Sequence, residues 1–115
     1  MSILIDTSPD IKEQIQRNNI KDVDAVIYTH EHADQSVGIF ELRPFFWKNK
    51  KKIPIYANKR TTKILRQKYT FCFLPRSGYM PIMKSHVFKE HFKIKKNNQS
   101  LKIIALELQH RMIKA

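Results

Sequence analysis

The segment Tyr28-Thr29-His30-Glu31-His32-Ala33-Asp34-Gln35 decides how the rest of the chain is read. It follows the apolar run Ala25-Val26-Ile27 and precedes Ser36-Val37-Gly38-Ile39. Two of the chain's five histidines lie here, two residues apart, with an aspartate two further on. In extended backbone, residues i and i+2 point to the same side. His30 and His32 can therefore converge on one point, as two imidazoles on one metal must, and Asp34 can lie beside them as an oxygen ligand. Glu31 and Ala33 would point away. The plainer reading is a pair of surface-loop histidines. It leaves unexplained why ligand-type residues recur at every second position directly after an apolar run.

Working outward, the elements alternate. Ile3-Leu4-Ile5 reads as a short buried strand. Thr7-Ser8-Pro9-Asp10 opens a helix, with a hydroxyl residue as cap, proline in the first turn and Asp10 at the positive end of the dipole. That helix is predicted over 10–18, with Ile11 and Ile15 on one face. A second strand is predicted over 25–29, a loop over 30–35, a short helix over 36–42 and a third strand over 53–57. Another helix is predicted over 59–68, then a loop over 74–81. The tail alternates through Val87-Phe88, Phe92-Lys93-Ile94 and 101–108 as antiparallel strands do. This is an α/β layered order. It places the histidine segment at the carboxyl end of a buried strand, where α/β proteins hold their sites.

Composition bounds the rest. The chain has 115 residues, one domain at most. At 42% hydrophobic residues it can build a core. It lacks a run of about 18 apolar residues, so no membrane-spanning helix is expected. Met1-Ser2-Ile3-Leu4-Ile5-Asp6 does not resemble a secretory leader. The single cysteine, Cys72, lies in the apolar run Phe71-Cys72-Phe73 and reads as a small buried hydrophobe in a reducing, cytoplasmic setting. The net charge of +12 suggests an anionic partner. The charge is mostly lysine, 16 against 6 arginines, and is spread along the chain. Its one dense cluster, Lys48-Asn49-Lys50-Lys51-Lys52, reads as a solvated loop or an anion-binding surface. No zinc-finger spacing, RNP-like motif or helix-turn-helix pattern marks a dedicated nucleic-acid binder.

The stretches ILIDTSPD (3–10), VIYTHEHADQSVGIFELRP (26–44) and LELQH (106–110) resemble the metallo-β-lactamase superfamily. The branch they resemble contains phosphoribosyl 1,2-cyclic phosphodiesterase. That family's signature is His-x-His-x-Asp-His at a strand end. The resemblance implies an α/β fold, here a partial αβ/βα sandwich over 1–115 corresponding to the middle of the family domain. It further implies that His30 and His32 bind a first metal, completed by His110. Asp34 would bind a second metal and orient the attacking water, as the catalytic aspartate. Asp6 would support the site from beneath. Arg43 and Pro44 match a family turn. His86 and His91 have no counterpart in the signature and read as ordinary histidines.

The last position of the signature falls on Gln35, a neutral oxygen donor and a poor zinc ligand beside imidazole. The family's later bridging aspartate and final histidine have no match before Ala115. The expectation is therefore a truncated, degenerate member. It would hold one divalent ion, zinc or manganese, rather than two, and act on a phosphodiester or other small anionic substrate. Two alternatives stand beside the hydrolase. One is a non-catalytic basic module for nucleic acid. The other is a homo-oligomer, or a subunit completed by a second chain.

Overall fold

Four strands stand side by side in the order in which the chain makes them. The computed structural model describes residues 1–29, 36–75, 80–88 and 91–104. Strands β1 (Ile3–Ile5), β2 (Ala25–Ile27), β3 (Ile53–Ala57) and β4 (Met83–Val87) form one parallel sheet, β1-β2-β3-β4. The register pairs Ile3 with Ala25, Val26 with Ile55 and Ile53 with Met83. Parallel neighbours need crossovers, and helices supply them. Helix α1 (Ile11–Arg17) joins β1 to β2. A 3-10 helix (Val37–Leu42) and α2 (Arg43–Asn49) join β2 to β3, and α3 (Lys59–Lys68) and α4 (Thr70–Phe73) join β3 to β4. The chain ends, among the described residues, in an antiparallel hairpin of β5 (His91–Lys96) and β6 (Gln99–Ile104). Asn97 adopts the left-handed backbone that its two-residue turn requires.

The period of two along each strand divides the sheet into two faces. Val26, Tyr28, Ile53, Ile55, Ala57 and Met83 face the helices and pack on Ile39, Leu42, Phe45, Phe46, Leu65, Cys72 and Phe73. Ala25 and Ile27 face the other way and pack on Ile94, with Ile3, Tyr56, Phe92 and Ile103 around them. β2 is buried on both faces, as a central parallel strand must be. Each fully buried Val, Ile or Leu in this core contributes about 1.5–3 kcal/mol. The hairpin is fastened by more than apolar contact. Phe92 stacks between Tyr56 and Phe88, with centroids 4.9 and 4.4 Å away. Lys96 Nζ lies 2.7 Å from Asp24 Oδ1.

Several expectations need correction. No hydroxyl caps α1: Asp10 holds the cap position and makes no side-chain cap bond, while Thr7 is turned inward. Residues 43–49 are a helix rather than a turn and loop. Pro44 sits in its first turn, where its missing N–H is harmless. Lys50 ends it in left-handed backbone, its N–H donating to Phe46 O at 2.7 Å. The first tail strand begins at Met83 and belongs to the parallel sheet; only β5 and β6 are antiparallel. The strand expected over 101–108 begins earlier, at Gln99, and its residues 105–108 lie outside those described. By contrast, β3 and α3 occupy the expected residues. Asn58 caps α3, accepting from Thr61 N at 2.7 Å.

Candidate metal centre and its frame

The expected ligands His30, His32, Asp34 and His110, with Gln35, lie outside the described residues. Among the described residues no cluster of three or more His, Cys, Asp or Glu is placed to hold a metal. The structure does describe both flanks of the motif, residues 29 and 36.

The upstream flank leaves β2 along an extended ladder. Tyr28 N donates to Tyr56 O at 2.9 Å, and Asp6 N donates to Ile27 O at 2.8 Å. Asp6 then adopts left-handed backbone, φ 62°, which aspartate tolerates better than most residues. Its carboxylate accepts twice from Thr29: from the backbone N at 2.9 Å and from Oγ1 at 2.7 Å. Asp6 therefore fixes Thr29, the residue immediately before His30.

The downstream flank is held by Thr7, which is fully buried. Thr7 Oγ1 donates to Ser36 O at 3.1 Å and lies 2.7 Å from the Tyr28 hydroxyl. A threonine hydroxyl has one hydrogen, so Tyr28 donates to Thr7. Burial raises the Tyr28 phenol far above its ordinary range, the Thr7 bond opposing this only in part, so it stays a donor. Thr7 O accepts from Gly38 N at 2.9 Å, and Ser36 Oγ lies 3.0 Å from the Tyr69 hydroxyl. Sequence reasoning assigned the hydroxyls at 7–8 to helix capping and missed this network. Its partners lie 21 and 29 residues away, beyond any local pattern. A groove of about 510 Å³ runs between the β1 edge and α1 and reaches Asp6 and Ser8.

Cys72, His86 and Arg43, also singled out, pack within the fold. Cys72 is buried, and burial pushes its thiol up to about 12, which keeps it in the unreactive thiol form. His86 is half-buried and stacks on Tyr56 at 4.9 Å; burial and Lys84 lower its pKa. The side chain of His91 lies outside the described residues. Arg43 lies 3.7 Å over the Phe40 ring and donates to Phe40 O, a packing role. No helix of the described residues is long and apolar enough to cross a membrane.

The described residues form a parallel sheet with helices on one face, and in the sequence the His-x-His-x-Asp motif follows β2 after Tyr28 and Thr29. This architecture is that of the β-lactamase superfamily. The chain belongs to this superfamily: the family model described as beta-lactamase superfamily domain matches residues 2–114. A solved structure described as a new diphosphatase from the PhnP family is similar over 82% of this chain, with 33% identity and a TM-score of 0.67. The match spans 35% of that protein. A protein of Porphyromonas gingivalis named octanoyltransferase is 35% identical over 71 residues, which are 62% of this chain and 14% of that protein. The chain thus spans a small part of each of these relatives and has the fold of a partial domain.

Proposed function

We propose that this chain carries the metal-binding core of a phosphodiester hydrolase, with His30, His32 and His110 as ligands of one divalent ion and Asp34 beside them. The observation that supports this most is the pinning of both motif flanks, Thr29 by Asp6 and Ser36 by Thr7. The donor set fits zinc or manganese: three imidazoles and one carboxylate, with Gln35 adding only a neutral donor. When bound, the ion supplies Lewis acidity and acidifies a water. Asp34 would orient that water and accept its proton. The likeness to a PhnP-family diphosphatase supports a phosphoester substrate, and the net charge of +12 would draw an anion in. The single cysteine, buried and unpaired, is compatible with a cytoplasmic protein.

The test is turnover of bis(p-nitrophenyl) phosphate with added zinc or manganese. Expected is slow hydrolysis that chelation abolishes and that His32→Ala removes without altering the melting curve. Hydrolysis that survives both treatments would overturn the reading.

A second reading, a basic module that binds nucleic acid without turnover, is favoured by one feature. Trp47 is 60% exposed on α2, and Lys50, Lys51 and Lys52 are exposed just after it. Exposed aromatic rings beside lysines suit stacked bases and phosphates. Affinity for single-stranded RNA that falls steeply with salt, with no cleavage, would select it.

A further inference from the structure

We propose that the buried hydroxyl chain Tyr28–Thr7–Ser36 is a positioning device for the metal-ligand segment, setting where that segment ends relative to where it begins. The inference rests on the metal reading above and assigns a role to the buried hydroxyls that hold the flanks of the motif.

Thr7 reaches the chain after the motif at two points. Its hydroxyl donates to Ser36 O, and its own carbonyl accepts from Gly38 N. Its neighbour Asp6 grips Thr29, the residue before the motif. Two adjacent residues therefore reference both ends of a six-residue segment, 30–35, to one turn of backbone. Tyr28 closes the frame. It directly follows β2, the strand that leads toward the motif, and its phenol donates to the same Thr7 oxygen that bonds the far side. Ser36 is further tied through Oγ to the Tyr69 hydroxyl, at the junction of α3 and α4.

A purely apolar core would be served as well by valine at residue 7, which has threonine's shape. Threonine, fully buried there, instead spends both its acceptor and its donor on the two strands of chain that flank the motif. Ligand sets must be held within about 0.5 Å of their working geometry, and the groups behind them do that holding. Removing a group that hydrogen-bonds a metal ligand directly typically weakens metal affinity about 10–100-fold, and Thr7 acts on the two flanks of the ligand segment.

The test uses Co(II), whose visible absorption reports its ligand field. Wild type, Thr7→Val, Thr7→Ser and Tyr28→Phe are titrated, and each is melted without metal. Expected is a Co(II) affinity about tenfold or more lower in Thr7→Val, with a changed visible spectrum, and recovery in Thr7→Ser, which restores the hydroxyl. Tyr28→Phe removes only the outer donor and should shift affinity in the same direction by less. If Thr7→Val does not fold, the Tyr28→Phe titration decides. A purely structural role would lower the melting temperature while leaving affinity and spectrum as in wild type, and that result overturns the inference alone. Wild type that takes up no Co(II), or takes it up equally as His30→Ala, overturns the metal reading and this inference together.

Discussion

Gly38 lies so close to Ser8 that a Cβ added to it would come within 2.2 Å of the Ser8 carbonyl oxygen and 2.6 Å of Ile11 Cγ2. The oxygen belongs to backbone that also accepts from Ile11 N at the start of α1, so it has little room to yield. Gly38→Ala is expected to destabilise the chain by about 1–3 kcal/mol, the range for overpacking a filled site. Urea denaturation would measure it. An unchanged midpoint would show that the 3-10 helix can shift away from α1 at little cost.

The ion pair of Asp24 with Lys96 ties the hairpin to the start of β2. Burial pulls the Asp24 carboxyl upward. The Lys96 hydrogen bond, the Ser2 amide at 2.7 Å and the nearby positive charges together outweigh it, and the carboxyl lies below its ordinary value of 3.8. A carboxylate depressed by folding contributes stability that is complete above the unfolded value and is lost as pH falls through the folded one. Lys96 is raised from 10.5, chiefly by its hydrogen bond to Asp24, so its share is present below 10.5 and lost at higher pH. Asp24→Asn should therefore flatten the melting temperature's dependence on pH below about 4. It should change little in how the variant responds between pH 6 and 8. A wild-type melt that is flat below pH 4 would count against the pair.

Cys72 should be inert in the native chain. It is 1% exposed, and its thiol is pushed up to about 12. Reaction with a chromogenic disulfide should be absent without denaturant and complete, one thiol per chain, in guanidinium. Rapid labelling of the native protein would mean that α4 opens readily.

Metal content should reach one equivalent per chain and no more after purification without chelators. His30→Ala should abolish it. Gln35→His, which places an imidazole beside Asp34, should raise affinity for a second ion without bringing activity to that of a complete two-metal site. Two equivalents in wild type, measured by elemental analysis, would contradict the single-ion reading.

What the sequence made legible follows from the range of the forces involved. β3 and α3 were readable because Ile53, Ile55 and Ala57 alternate on one face and because 59–68 is long enough to show a helical repeat. Helix α2 was not, since its three adjacent aromatic residues Phe45-Phe46-Trp47 show no period, and only the first two are buried. The direction of β4 is set by the crossover through α3 and α4, whereas local alternation is the same in parallel and antiparallel strands. The motif itself was plain, because its spacing is local. Its frame was hidden: Thr7 looked like a cap, and nothing near it in the chain points to Tyr28 or Ser36. Asp6 was singled out through the family resemblance, whereas its double bond to Thr29, 23 residues away, has no local sign in the sequence.

The spatial order of the four strands also bears on how the chain assembles. Because each strand pairs with the one made just before it, every new pairing closes a loop of about 20–30 residues, and closure cost grows only slowly with such lengths. A ribosome that has released residues 1–57 has already supplied three consecutive strands and the helices between them, so β1 to β3 can associate before β4 emerges. The hairpin follows the four strands in the chain and covers Ala25 and Ile27 on the face opposite the helices. Assembly can therefore follow chain order, and the face that the hairpin closes is the one behind the strand that leads toward the histidine motif.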